Sequence, residues 1–96
     1  ESYGKYIYVF DDGVIRGFIE MNGTQLSKIY VDSFFQSQGV GDALIRYATE
    51  EFGADNLWAL EKNKRAISFY QNHGFQVTGR KRLEENTTEY LVKLER

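Results

Sequence analysis

The sequence predicts an α/β fold in which two helices accompany a mixed, mainly antiparallel sheet. Asn22-Gly23 stands between two strand-like apolar runs, and this dipeptide is the strongest short signal for a β-hairpin. Two later segments carry apolar residues at helical spacing, and a glycine follows each of them. Strand-like runs also stand between the two helical segments and after them, which completes the α/β pattern.

The composition fits one small globular domain over residues 1–96. Of these 96 residues, 42% are apolar and 16% aromatic, which is ample for a packed core. A net charge of −2 gives no reason to expect nucleic acid or a membrane as partner, and no apolar run approaches the length of a membrane span. Because the chain has no cysteine, we expect no disulfide, no thiolate nucleophile and no cysteine metal site. No metal is expected, and the composition is compatible with the cytoplasmic location that we predict.

Three strands are predicted in the first third of the chain. Residues 6–10 place aromatic side chains on one face and aliphatic ones on the other, which is typical of a strand. Residues 14–21 and 24–31 flank the Asn22-Gly23 turn, where both positions tolerate positive φ in a type I′ turn. Short turns between these consecutive strands predict an antiparallel meander.

The two predicted helices cover residues 40–52 and 64–73. In the first helix the apolar residues form one stripe, and Gly53 follows as a stop signal. Asn63 can cap the start of the second helix, and Gly74 ends it. Both helices therefore have start and stop signals in the sequence.

The remaining strands are predicted around and after these helices. Residues 56–60 form a short apolar run, and the strand-helix-strand order implies that it lies parallel to strand 24–31. Residues 75–83 and 87–94 are two further strands around a turn at residues 84–86. The resulting sheet is mixed and mainly antiparallel.

The most informative stretch is the glycine turn Gly39-Val40-Gly41, which joins strand 24–31 to the first helix. Glycine permits positive φ and lets a ligand approach the backbone. The first amides of a helix have no internal partner and lie at the positive end of its dipole, so they can bind a phosphate or pyrophosphate. A tight turn without a ligand is the alternative. The dinucleotide fingerprint and the P-loop are excluded, because their third glycine and Gly-Lys-Ser/Thr are absent.

Two motifs resemble the GNAT family of N-acetyltransferases. Residues 36–41 read Gln-Ser-Gln-Gly-Val-Gly, similar to the family's acetyl-CoA loop, in which Arg or Gln opens an x-x-Gly-x-Gly/Ala motif. Residues 63–75 read Asn-Lys-Arg-Ala-Ile-Ser-Phe-Tyr-Gln-Asn-His-Gly-Phe, similar to the family's Asn-x-x-Ala-x-x-Phe-Tyr…Gly-Phe segment. The resemblance covers about the C-terminal three quarters of the chain, and two motifs in the right order are more specific than one.

The resemblance implies a GNAT-like acyl-CoA N-acyltransferase fold with acetyl-CoA as co-substrate and a primary amine as acceptor. Acetyl would pass directly to the amine in a ternary complex. The glycine turn would hold the pyrophosphate, and the strand before it would bond the pantetheine arm through its backbone. The cofactor-binding residues implied are Ile29, Tyr30, Val31, Gln36, Ser37, Gln38, Gly39, Val40, Gly41, Asp42, Asn63, Ala66, Phe69 and Tyr70.

Tyr70 falls where the family carries its general-acid tyrosine, which protonates the leaving thiolate. The alternative is an aromatic core residue, since the chain has 7 tyrosines and 7 phenylalanines. Asn63 can bond the cofactor arm as well as cap a helix, although a cap alone explains it. The family's usual glutamate base is missing from strand 24–31, and Glu20 on the neighbouring strand is the nearest acid.

The family normally places a strand and two helices before the first hairpin seen here, so we expect a shortened fold without them. A CoA-binding or interaction module without transfer activity is therefore the alternative to an enzyme. The apolar face of the first hairpin would have less to pack against, which favours a homodimer through that hairpin or the C-terminal strands. The amine itself is not identified by the sequence.

Overall fold

The computed structural model describes the backbone of residues 5–11, 15–31 and 39–96, and side chains from residue 17 onward within these ranges. The chain divides into two compact units, Glu1–Ala54 and Asp55–Arg96. In the described ranges the elements are β1 (Lys5–Asp11), β2 (Ile15–Asn22), β3 (Gln25–Val31), α1 (Val40–Glu51), β4 (Asn56–Leu60), α2 (Lys64–Gln71), β5 (Gln76–Leu83) and β6 (Tyr90–Glu95). The predicted α/β class, with two helices and mainly antiparallel strand pairing, is confirmed.

In the first unit, β1, β2 and β3 form the predicted antiparallel meander. The hairpin turn lies one residue later than predicted, because Asn22 still pairs with Gln25 and the loop residues are Gly23 and Thr24. Gly23 has φ 63°, whereas Asn22 and Thr24 do not adopt positive φ. A glycine at the first central position fits a type II′ turn, so the predicted type I′ turn is wrong.

α1 covers the face of this meander that carries Ile19 and Met21, both fully buried. The helix contributes its own apolar stripe to this core: Val40, Leu44, Ile45 and Ala48. After the helix, Gly53 adopts φ 65° and the amide of Ala54 donates to the carbonyl of Ala48 at 3.0 Å. Burial of this stripe holds α1 against the sheet, as its helical spacing predicts.

In the second unit, β6 lies between β4 and β5 and is antiparallel to both. One face of the sheet is buried and holds Leu57, Ala59, Val92 and Leu94 together with Phe75, which has no exposed surface. α2 has no fully buried residue of its own. The core of this unit is therefore built mainly from its strands and from Phe75.

Trp58 stands in a short apolar run, which favours a core position, but it lies on the opposite face of β4 and is only half-buried. Its ring is covered by two cations, with the Arg82 guanidinium 4.4 Å and the Lys93 ammonium 5.0 Å from the ring centroid. Ladder pairing sets Lys93 directly opposite Trp58. The indole is thus shielded by cation–π contacts instead of by aliphatic side chains.

The last strand begins at Tyr90, three residues later than predicted. The Thr87 hydroxyl donates to the Glu84 carbonyl at 2.9 Å and accepts from the Glu89 amide at 3.0 Å. Asn86 adopts φ 65° within the same turn. The local hydrogen bonds of Thr87 compete with strand pairing and extend the turn to residue 89.

α2 ends at Gln71, two residues earlier than predicted. The amide of His73 donates to the Tyr70 carbonyl at 3.0 Å and that of Gly74 to the Gln71 carbonyl at 3.1 Å, which tightens the last turn. Gly74 then takes φ 92°. Arg96 closes this end, because its Nε donates to the His73 carbonyl at 3.1 Å.

Candidate functional site

The candidate residues of the first unit lie at the start of α1. Gly39 is the N-cap residue, with φ 81° and ψ 3°, and no side chain caps the helix. In the described part of the chain, no group accepts a hydrogen bond from the amides of Val40 or Gly41. Two backbone donors at the positive end of a twelve-residue helix are therefore available to an anion.

The side chain of Asp42 lies in the first turn of this helix and forms an exposed ion pair with Arg46 at 3.3 Å. A carboxylate at this place would repel a bound anion, and the Arg46 guanidinium partly offsets its charge. An open groove of about 280 Å³ runs from here along the helix, and Gly39, Asp42, Ala43, Arg46, Tyr47 and Glu50 line it. Only the backbone of Asp42 fits the predicted role.

The strand predicted to bond the pantetheine arm ends with Ile29, Tyr30 and Val31. Ile29 pairs with Ile19 of β2 on the α1 side of the sheet. The Tyr30 side chain is 50% exposed and stacks on Phe18, with ring centroids 5.5 Å apart, so it is not a core residue. Gln36, Ser37 and Gln38 lie outside the described residues.

The candidate residues of the second unit lie on α2, which begins as predicted with Asn63 as its cap. The Asn63 Oδ1 atom accepts a hydrogen bond from the Ala66 amide at 3.1 Å. The cap uses only the oxygen of this exposed side chain. Its Nδ2 group can still donate to a ligand, so the cap and the cofactor contact are compatible.

Tyr70 is half-buried in an aromatic cluster near the end of α2. Its ring meets Phe69 edge-on, with centroids 5.4 Å apart, and Phe75 at 6.3 Å. Burial raises the pKa of the Tyr70 phenol above its usual value of 10.0. In the described residues no group hydrogen-bonds its hydroxyl. The phenol is therefore protonated at neutral pH and able to donate to a ligand.

Lys64 and Arg65 are candidate site residues that the sequence interpretation missed. Both are exposed in the first turn of α2, where a positive charge interacts unfavourably with the helix dipole. Neither forms an ion pair among the residues that the structure describes. Two adjacent cations directly after a capping Asn were the available signal for an anionic ligand.

The general base has no clear candidate in β3, which carries no carboxylate over Gln25–Val31. Glu20 is half-buried on β2 and stands opposite Lys28 in the ladder. Glu20 also takes part in a further interaction within the fold. Proton removal from an amine would have to use another group or water.

The chain is an α/β protein with mainly antiparallel strands, a helix start without a side-chain cap after a left-handed glycine, and a second helix that carries a protonated tyrosine. Residues 3–77 match the acetyltransferase (GNAT) domain. The chain therefore belongs to the GNAT acetyltransferase family.

Known proteins similar to this chain agree with that membership. YjaB of Salmonella typhimurium, a peptidyl-lysine N-acetyltransferase, is 28% identical over 80 residues, which are 83% of this chain and 55% of that protein. The solution structure of apo YjaB from Escherichia coli matches with a TM-score of 0.77 and 26% identity, over 91% of this chain and 60% of that one.

A third similar protein has the fold with its ligand bound. It is a Bacillus anthracis protein assigned as a streptothricin acetyltransferase, crystallised with acetyl coenzyme A. It matches with a TM-score of 0.75 and 24% identity, over 95% of this chain and 61% of its own. This chain thus spans little more than half the length of such relatives. Among the described residues no helix is long and apolar enough to cross a membrane, and the cytoplasmic location stays a prediction.

The cap geometry predicts how Asn63 variants behave. Asn63→Ala should lower the free energy of unfolding by about 1 kcal/mol, because the Ala66 amide loses its acceptor. Asn63→Asp should keep the cap and the stability, since its oxygen can accept the same bond. Urea denaturation measures both values.

The same pair separates the two roles of Asn63. If Nδ2 also bonds CoA, then Asn63→Asp weakens CoA affinity at full stability, because the aspartate has no donor. Full CoA affinity in Asn63→Asp would leave Asn63 with the cap role alone.

Proposed function

We propose that the chain binds acetyl-CoA and that acetyl passes directly to a primary amine in a ternary complex. The observation that carries this proposal is the start of α1, where Gly39 in the left-handed conformation leaves the Val40 and Gly41 amides without a partner. A pyrophosphate is a suitable ligand, because it accepts several hydrogen bonds and its charge is stabilised by the helix dipole. The Gln36-to-Gly41 loop motif and family membership support the same ligand.

The cations at the start of α2 extend this proposal. The positive charges of Lys64 and Arg65 interact unfavourably with the dipole of α2, but they attract a polyanion such as CoA. Together with the Asn63 amide, they are proposed to bind a phosphate or the pantetheine arm of CoA. We assign Ala66 and Phe69 to the same contact surface of α2, since both are half-buried beside them.

For the chemical step we assign Tyr70 as general acid. The amine nitrogen attacks the thioester carbonyl carbon, the carbon–sulfur bond breaks, and the thiolate takes the phenolic proton of Tyr70. The amine proton leaves to water or to a base outside the described residues. The raised pKa of the phenol keeps the proton on Tyr70 until the thiolate forms.

A CoA-binding module without transfer activity is the second candidate. The absence of a carboxylate from β3 and the engaged state of Glu20 favour it. Binding of CoA without turnover of any amine would identify this module. YjaB acts on peptidyl-lysine, and we propose the lysine side chain as the first amine to test.

The first prediction concerns the helix start. CoA should raise the melting temperature, because a ligand that binds only the folded state stabilises it by mass action. Gly41→Leu should abolish this shift by blocking the pyrophosphate, and it should not weaken the helix, since leucine has the higher helix propensity. Thermal denaturation with and without CoA measures the shift.

The matched control is Glu51→Leu, an exposed leucine at the other end of α1. It should keep the full shift. If Gly41→Leu keeps it as well, the anion binds elsewhere.

The second prediction concerns Tyr70. Tyr70→Phe should lower kcat by on the order of a hundredfold, because it removes only the donated proton, with acetyl-CoA affinity nearly unchanged. Tyr90→Phe, an exposed tyrosine on β6, should retain the wild-type rate. Because the pKa is raised, the wild type should not lose activity through Tyr70 below about pH 10. Steady-state kinetics over a pH series measures both effects. A wild-type kcat in Tyr70→Phe would refute the assignment.

We also propose a homodimer, formed through the first hairpin. β5 is exposed along its whole length and pairs only with β6 in its unit, but Gly79 with φ 89° and three consecutive cations blunt that edge. The C-terminal route is therefore less favourable than the β1 edge. Sedimentation over a concentration series should show association, and a Lys5→Pro variant should reduce it. A monomer at every concentration would contradict the dimer.

A further inference from the structure

Gly17 on β2 is a point where three parts of the first unit meet. It is buried and pairs with Val31 at the end of β3. A Cβ atom built on Gly17 would overlap the carbonyl oxygen of Tyr30, and it would lie 3.0 Å from Leu44 Cδ1 and 3.3 Å from the Cα of Val31. No side chain fits there unless backbone moves.

Space, not backbone conformation, is the reason for this glycine. Its φ lies outside the left-handed region, so an alanine could adopt the same backbone angles. In a regular ladder the carbonyl lies near the plane of the sheet and Cβ points out of it. The overlap therefore means that the Tyr30 carbonyl is directed toward the α1 side, into the volume that a Cβ would take.

The missing side chain at Gly17 also allows α1 to pack close to the sheet. Leu44 lies one turn after Val40, and its Cδ1 atom comes close to Gly17 from the helix side. A larger residue at position 17 would push the first turns of α1 away from β3. The amides of Val40 and Gly41 would move with them.

We infer that Gly17 is a positioning residue of the acetyl-CoA site. It meets the backbone of Tyr30 directly, and it meets α1 at Leu44, one turn after the amides that the proposed function requires. Gly17 touches neither the cofactor nor the reacting atoms in this account. It fixes the distance between two sets of backbone groups that bind one ligand, and an error of about 1 Å in such a distance is costly.

The test measures CoA affinity by isothermal titration, below the melting temperature of each variant. Gly17→Ala should weaken CoA binding by about tenfold or more, because the Tyr30 carbonyl and α1 both shift. Leu44→Ala should bind within about twofold of the wild type. The double variant Gly17→Ala/Leu44→Ala relieves the side-chain overlap but not the carbonyl overlap, so it should still bind about tenfold more weakly than Leu44→Ala.

Leu26→Ala is the control for lost stability. Leu26 is 3% exposed on the same sheet face, at the far end of β3 from Tyr30. This variant should melt at a lower temperature and bind CoA like the wild type. An equal loss of affinity in Leu26→Ala would show general destabilisation and overturn the inference.

Three further results would also overturn it. The first is wild-type affinity in Gly17→Ala, and the second is equal affinity in the double variant and in Leu44→Ala. The third is loss of the fold in both Gly17→Ala and the double variant. The last would make Gly17 a residue of the core alone. The inference rests on the proposed function, and the two can fail separately. A wild-type chain that does not bind CoA refutes the proposed function, whereas a binding wild type with an equally binding Gly17→Ala refutes only the role of Gly17.

Discussion

The conformation of Gly39 is the constraint on which the account of the first unit depends. A left-handed residue at the N-cap leads the chain into α1 without bringing a capping side chain to the helix. The N–H groups of Val40 and Gly41 therefore have no acceptor among the described residues. Burial of Val40 against the sheet holds those donors in place. The helix start is thus a packing element and, in the proposed function, also the binding element.

The second unit supplies a different kind of chemistry. Phe69 and Phe75 surround Tyr70 and remove water from its phenol, which raises the pKa and keeps the proton bound. The polar atoms of Asn63 divide into one that caps α2 and one that remains for a ligand. In the proposed function, backbone donors of the first unit bind the anion and side chains of the second unit act in the chemical step.

Local signals in the sequence predicted most elements and both motif segments. The glycines at positions 39, 53 and 74 mark helix ends because each adopts positive φ there. The sequence did not predict the surroundings of residues whose contacts come from distant parts of the chain. The apolar run around Trp58 favours a core position, but in the structure the Trp58 ring is covered by Arg82 and Lys93, which lie far along the chain. The role of Gly17 is equally invisible, because it depends on Tyr30 and Leu44 in other elements.

The central claim is that the first amides of α1 hold the pyrophosphate of CoA, and amide NMR of the ¹⁵N-labelled chain during a CoA titration tests it most directly. The account predicts that the largest shift changes are those of Val40 and Gly41, while the amide of Gly53, at the other end of the same helix, stays unchanged. Saturable CoA binding that leaves the Val40 and Gly41 resonances in place would contradict it.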